Sequence, residues 1–257
     1  MTRYNAARTA LAAAAAPLIL LHHFYAVSLW WMALPLAIFG GLLIYGASVV
    51  SSEFFMPVRC GAETPLKEIA ITFDDGPHAE FTPKVLAALA EFGAPAAFFV
   101  IGKNIRGNEE LLRRIDAEGH AVGNHTFTHS YFVDFKGFTG FKDELNRTAD
   151  AIHEVIGKRI KLFRPPYGVM TPQLANASVA LDYQVIGWNV RSFDTTRSSE
   201  ERIADRVLKR IKPGAVILFH DASDKTVNVL KRTLRYAQQN GFKVVSLERL
   251  LAVRPYQ

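Results

Sequence analysis

The stretch EIAITFDDGPH, residues 68–78, runs an apolar segment into two adjacent aspartates, Asp74 and Asp75, and then a Gly-Pro turn. A short, near-continuous apolar run bounded by turn residues predicts a strand buried on both faces, as in parallel sheets covered by helices. Like charges on neighbouring residues repel, so the pair at the strand's end needs a reason.

Outward from this stretch, the chain after residue 66 repeats the same theme. Strand candidates are AAFFVIG, HAVGNH, KLFRPP, QVIGWNV, AVILFH and KVVSL. Between them lie helical segments such as TPKVLAALAEFG, NEELLRRIDAEG, FKDELNRTADAIHEVIG, TPQLANASVALD, SEERIADRVLKRI and TVNVLKRTLRYAQQNG. Several open on Thr, Ser, Asn or Thr-Pro and close on Gly, as helix ends do. Strands alternating with helices predict an α/β fold, a distorted, strand-deficient (β/α) barrel of about seven parallel strands, with an open doubly wound sheet as the alternative.

In such barrels functional groups gather at the carboxyl ends of strands. The unusual polar residues fall there: Asp74 and Asp75, then GNHTFTHS, RPPYG, WNVRSFD and FHD. His125 and His129 are four apart, a spacing that on a helical turn puts both imidazoles on one face. With Asp75 they make a two-histidine, one-carboxylate metal site with positions open to water and substrate. One aspartate then holds the cation while Asp74 takes a proton from water activated there. Gly-Pro turn chemistry alone accounts for one aspartate and not for two. By strand alternation His220 points opposite to Phe219, where it can act as an acid toward a leaving amine, with Asp194 as its orienting carboxylate. Arg164, before two prolines that stiffen its loop, can pair with Asp74 and keep it anionic. His78, His120 and His153 read as surface or local structural residues.

No charged side chain occurs between Arg8 and Glu53, and the intervening run from Thr9 to Ser52 is 44 residues long. A bilayer core needs about 20 apolar residues per helix, so this length fits a hairpin of two spans, about 9–24 and 27–50. A single span over the second half is the alternative. Trp30, Trp31 and Tyr25 suit a membrane interface, Pro17 and Pro35 are tolerated in membrane helices, and His22 and His23 read as polar turn residues. The expected organisation is a membrane segment over 1–52, a linker over 53–65 and a catalytic domain over 66–257. The expectation is a protein anchored in a bacterial inner membrane with its catalytic domain extracytoplasmic, the side to which a single span exports it. Arg3, Arg8, Arg59 and Lys67 would instead leave a two-span protein's domain cytoplasmic.

A formal charge of +6 and a pI near 9.4 point to an anionic polymer or membrane surface. Scattered Lys and Arg, without basic runs interleaved with aromatics, argue against nucleic acid. The single cysteine, Cys60, excludes an intrachain disulfide and reads as inert. Nothing points to an obligate protein partner.

These residues resemble the motifs of the polysaccharide deacetylases, carbohydrate esterase family 4. The likeness covers about 66–257 and is carried, in the family's order, by TFDDGP, HTFTH, RPPYG, WNV with the following FD, and ILFHD. It implies hydrolysis of the N-acetyl amide of amino sugars in peptidoglycan, a chitin-like oligomer or a lipid-linked saccharide. It implies one divalent ion, zinc first, with Co²⁺, Ni²⁺ or Mn²⁺ as substitutes. By that likeness Asp74 is the base, Asp75, His125 and His129 hold the metal, Arg164 positions the base, and His220 is the acid tuned by Asp194. The Tyr167 backbone N–H faces the oxyanion, Trp188 walls the acetyl pocket, and Pro165 lies on the substrate side. Arg191 and Thr195 depart from the family pattern, where an Asp and an aromatic are usual. A non-catalytic carbohydrate-binding module and an amidase for a small non-sugar amide are the competing readings. Asp74 discriminates against the first, since a module needs no base, and the membrane segment against the second.

Overall fold

The computed structural model describes residues 2–132 and 136–257. Its strands are β1 (Glu68–Asp74), β2 (Ala96–Val100), β3 (Ala121–Asn124), β4 (Leu162–Phe163), β5 (Gln184–Val185), β6 (Val190–Arg191), β7 (Ala215–His220) and β8 (Lys243–Val244). All pairings between them are parallel, in the order β5-β4-β3-β2-β1-β7-β6. β8 pairs with the first two residues of β1, below the point where β2 begins. The expected strand QVIGWNV is divided into β5 and β6, which pair at opposite edges of the sheet although only four residues separate them. One bent segment therefore draws the two edges together, and the sheet curls into an incomplete barrel of seven parallel strand segments when β5 and β6 are taken as one.

The seam at that bend is filled by the stretch expected to be a linker. Arg59 N donates to Val185 O and Gly187 N to Arg59 O, both at 2.9 Å, while Ala62 N donates to Gly214 O at 3.0 Å. Phe54, Phe55, Met56 and Val58 are buried in the core, so residues 53–65 are built into the domain. Burial pushes the Cys60 thiol up to about 11, which leaves it unreactive.

Outside the sheet lie α3 (Thr82–Glu91), α4 (Gly102–Ile105), α5 (Glu109–Ala117), α6 (Gly137–Ile156), α7 (Pro172–Ala180), α8 (Glu200–Leu208) and α9 (Asp224–Gln239); α10 (Leu247–Leu251) follows β8. Strand alternation sorts the side chains. Ile69, Ile71 and Phe73 of β1 join the large core under the helices with Phe98, Val122, Phe163, Ile217 and Phe219. Ala70, Ala97, Phe99, Ala121, Leu162 and Val216 face the barrel interior, whose floor is sealed by Leu247, Leu250, Leu251 and Val253. Each large side chain so buried stabilises the fold by about 1.5–3 kcal/mol. Gly123 makes room for the Phe99 ring, because a Cβ there would lie 2.6 Å from it. Continuing the alternation, Asp74, Arg164 and His220 follow inward-facing residues by an even step and share the interior set.

Two further helices precede the domain, α1 (Arg3–Tyr25) and α2 (Ala33–Ser48). The segments Arg3–Tyr25 and Leu29–Ser48 are each long and apolar enough to cross a membrane, with mean hydropathies of 1.2 and 1.7. They pack against each other, and Trp30 and Trp31 are exposed at the connecting turn. His22 and His23 sit in the last turn of α1, and His22 Nδ1 hydrogen-bonds Val27 O at 2.8 Å. The opposite end is tied to the domain: Tyr4 N donates to Phe54 O at 2.9 Å, Arg3 Nη1 to Ser52 O at 2.7 Å, and the Tyr4 ring packs on Phe55.

Candidate active site

β1 delivers Asp74 into the barrel mouth. Asp75 then takes a left-handed conformation, φ 77°, which an aspartate tolerates better than most residues and which turns the chain sharply. Asn104 Nδ2 donates to Asp75 O at 2.8 Å and fastens the turn. Gly76 allows the buried Asp221 carboxylate to approach, for a Cβ there would lie 2.3 Å from its oxygen.

The segment His125–His129 is not the helical turn that its spacing suggested. Thr126 and His129 are left-handed, at φ 65° and 46°, and the loop is shaped by side chains that capture its backbone. Asn124 Oδ1 accepts from Thr126 N at 2.9 Å. Glu144 of α6 accepts from Phe127 N, Thr128 N and Thr128 Oγ1 at 2.9, 2.7 and 2.9 Å, and pairs with Lys136. The two imidazoles nevertheless converge, with ring centroids 4.9 Å apart. Potential ligand atoms of Asp75, His125 and His129 all lie within 4.8 Å of one another.

This cluster fits a cation. Asp75 Oδ1 is buried without a hydrogen-bond partner among the described residues, 3.5 Å from His125 Nε2 and 3.4 Å from His129 Nε2. His125 Nδ1 donates to Arg164 O at 2.8 Å, which leaves the Nε2 lone pair for the ion. Burial pulls the His125 pKa down to about 3, so the ring is the neutral ligand a metal requires.

Asp74 also approaches His125, its Oδ2 3.8 Å from Nε2. The buried Arg164 guanidinium donates to Asp74 Oδ1 and Thr72 Oγ1, both at 2.8 Å, to Gly187 O at 2.8 Å and to Ile186 O at 3.2 Å, and it lies over the Phe99 ring. Arg164 was expected to keep Asp74 anionic. It pulls in that direction, but complete burial outweighs it, and the Asp74 pKa stands above the ordinary carboxylate value. A raised pKa strengthens a carboxylate as a base.

β7 pairs with β1 so that His220 stands beside Asp74. His220 Nδ1 donates to Asp194 Oδ1 and His220 N to Asp194 Oδ2, both at 2.8 Å; Asp194 also accepts from Ser192 Oγ and Thr226 Oγ1. Burial disfavours the charged imidazole, yet the hydrogen bond and charge of Asp194, reinforced by Asp74 and Asp75, push its pKa up to about 9.

Asp74, Asp75, His125, His129 and His220 line one cleft of about 350 Å³ together with Tyr131, Tyr167, Trp188, Arg191, Thr195 and Leu218, with Arg164 and Asp194 behind its wall. Tyr167 is left-handed, φ 58°, and its ring stacks on Tyr131 at 5.5 Å. Pro165 is buried and does not line the cleft; its carbonyl accepts from Gly168 N. Glu144, Thr72 and Tyr131 were not anticipated. Glu144 had a signal: it occupies the apolar face of α6, with Phe141, Leu145, Thr148 and Ile152. His120 is buried and accepts from Ala96 N, a local structural role.

A family model for polysaccharide deacetylase matches residues 61–186. The chain is 33% identical over 199 residues to a chitooligosaccharide deacetylase of Bradyrhizobium sp. (strain ANU 289), spanning 72% of this chain and 90% of that protein. It is 33% identical over 184 residues to a peptidoglycan-N-acetylglucosamine deacetylase of Bacillus cereus, spanning 70% of this chain and 66% of that one. A crystal structure of a peptidoglycan N-acetylglucosamine deacetylase superposes with a TM-score of 0.74 at 27% identity, covering 78% of this chain and 95% of that one. The chain belongs to the polysaccharide deacetylase family, carbohydrate esterase family 4.

Proposed function

We propose that the protein hydrolyses the N-acetyl amide of amino sugars in a glycan, with a divalent ion, zinc first, held by Asp75, His125 and His129. The observation that carries this reading is a candidate base and acid beside the ligand cluster: Asp74 and His220 are paired residues on adjacent strands and line the same cleft. A carbohydrate-binding module has no use for either group. When bound, the ion supplies Lewis acidity that acidifies water and polarises the acetyl carbonyl. Asp74, fixed by Arg164, takes the proton of the attacking water. The Tyr167 backbone N–H hydrogen-bonds the developing oxyanion. His220, held by Asp194, gives its proton to the departing sugar amine. Trp188 bounds the space for the acetyl methyl, and the stacked Tyr131 and Tyr167 rings offer a face for the sugar.

The full chain, purified in detergent, is expected to release acetate from an N-acetylglucosamine oligomer, to lose that activity to a chelator and to regain it with Zn²⁺ or Co²⁺. Acetate release that survives complete removal of metal sinks the mechanism.

The helices α1 and α2 serve as a membrane hairpin in this reading. Contacts of Arg3 and Tyr4 with Ser52 and Phe54 bring both ends of the hairpin to the domain, so amino terminus and catalytic domain share one side. Arg3, Arg8 and Arg59 favour the cytoplasmic face, against the extracytoplasmic side that a single span implies. A reporter fused after Gln257 that is active only outside the cytoplasm overturns this orientation.

A further inference from the structure

Beside the catalytic cleft lies a second groove of about 380 Å³. Tyr167, Trp188 and Arg191 line both, so the two are neighbours across these three side chains. The far wall of the groove is Ser48 to Ser51, the point where α2 ends, and Arg210 lines it as well. The groove therefore reaches from the side chains that border the reacting centre to the foot of the helical hairpin, and two arginines line it.

Arg191 is unusual in its surroundings. Its Nε is buried with no hydrogen-bond partner among the described residues. Its guanidinium lies over the rings of Trp188 and Phe193, at 5.5 and 4.8 Å. Arg206 covers the same Phe193 ring at 5.1 Å but has an acceptor of its own, Ser192 O at 2.9 Å. Among the described residues neither Arg191 nor Arg210 has a carboxylate within ion-pair distance, whereas the buried Arg164 is paired with Asp74. A buried N–H without an acceptor is costly, and an arginine held by aromatic rings keeps its planar fork available for an oxyanion. An anion in the groove would satisfy it.

We infer that this groove binds a phosphoryl group attached to the sugar, and that the substrate is an N-acetylated glycosyl phosphate carried on a lipid. The inference rests on the deacetylase reading above. The phosphoryl group is the choice because Arg forks match its oxygens in pairs. The lipid is the choice because the groove's outer wall is the end of α2, where a hairpin anchor meets the bilayer surface. The sugar then lies in the catalytic cleft, its phosphate bridges Arg191 and Arg210, and the lipid chain continues along the hairpin.

The test uses the full chain with zinc in lipid nanodiscs. Acetate release is compared for four substrates: a neutral chitin tetramer, N-acetylglucosamine 1-phosphate, polyprenyl-phosphate-linked N-acetylglucosamine, and a muramic-acid glycan bearing carboxylates. The lipid-linked substrate is expected to have the highest kcat/KM. Arg191→Gln and Arg210→Gln are each expected to lower its kcat/KM relative to the neutral tetramer by roughly tenfold, the scale of one charge-assisted contact. Arg210 is exposed, so its variant reports on the groove even if Arg191→Gln folds poorly. An unchanged ratio in both variants overturns the proposal, as does a preference for the carboxylated glycan. Equal turnover of the free and lipid-linked phosphates overturns the lipid assignment while supporting phosphoryl recognition. If no substrate releases acetate, the deacetylase reading fails, and the groove is judged by binding of lipid-linked N-acetylglucosamine phosphate to the Asp74→Asn chain. Equal affinity with and without Arg191→Gln and Arg210→Gln then overturns it.

Discussion

The cleft contains two histidines, His125 buried and His220 partly buried, whose environments drive their pKa values in opposite directions. His125 is held near a pKa of about 3 and His220 near about 9. Burial disfavours the cation in both. The difference lies in what each Nδ1 meets: a neutral carbonyl, Arg164 O, for His125, and a carboxylate, Asp194, for His220. For His125 burial outweighs the pull of Asp75, with His129 and Arg164 adding to it, so the ring is neutral and can bind a metal; for His220 three carboxylates outweigh burial and favour a proton to give. Residue type is shared, and the hydrogen-bond partner assigns the role.

Breaking the neutral side has the largest expected effect. Asp75→Asn and His125→Gln should each strip the bound ion, read as metal per chain by elemental analysis, with acetate release falling by about 10³-fold or more. Asp74→Asn should keep the metal and still lose roughly 10²–10⁴-fold in turnover. Retained turnover in that variant removes Asp74 from the role of base.

On the charged side, Asp194→Asn should cost about 10–100-fold in kcat and also change the pH profile. An acid that must be protonated is lost as pH rises through its pKa, so the alkaline limb of the wild type is expected near 9. Without the carboxylate it should move down toward 6.5, the ordinary histidine value. Stability follows the same sign: the raised His220 pKa contributes fully below about 6.5 and is lost as pH rises through about 9, a trend that melting curves of Asp194→Asn should lack. An alkaline limb that stays in place in the variant dissociates His220 from the profile. The smallest effect is expected from Glu144→Gln, which weakens the support of the His125–His129 loop. It should lower stability by about 1–3 kcal/mol and loosen metal binding by about tenfold, leaving the pH profile unchanged.

Much of the fold was legible because it rests on local patterns. The parallel strands announce themselves as apolar runs, and every polar group proposed for chemistry lies at or after a strand's carboxyl end. Alternation along EIAITFD and AVILFH suffices to place Asp74 and His220 on the same interior face once β1 and β7 are adjacent. The division of QVIGWNV was not legible: continuous apolar character says that a segment is buried, not that its two halves pair with different edges. Residues 53–65 read as linker because their place in the barrel seam depends on partners more than a hundred positions away. The His125–His129 spacing pointed to two rings that do converge, but for a geometric reason that does not hold, since the loop owes its shape to Asn124 and Glu144.

The sequence by itself determined a helix-covered parallel sheet, a two-histidine, one-carboxylate cluster with a second aspartate beside it, and an apolar amino-terminal segment. Only the tertiary structure decided that Arg164 favours the charge on Asp74 while burial opposes it, that Asp194 raises the pKa of His220, and that α2 ends in a groove bordering the cleft. Periodicity and motif order are properties of the chain read in one direction. Charge state and groove shape come from side chains brought together across the barrel, where desolvation and the identity of a single hydrogen-bond partner set the balance.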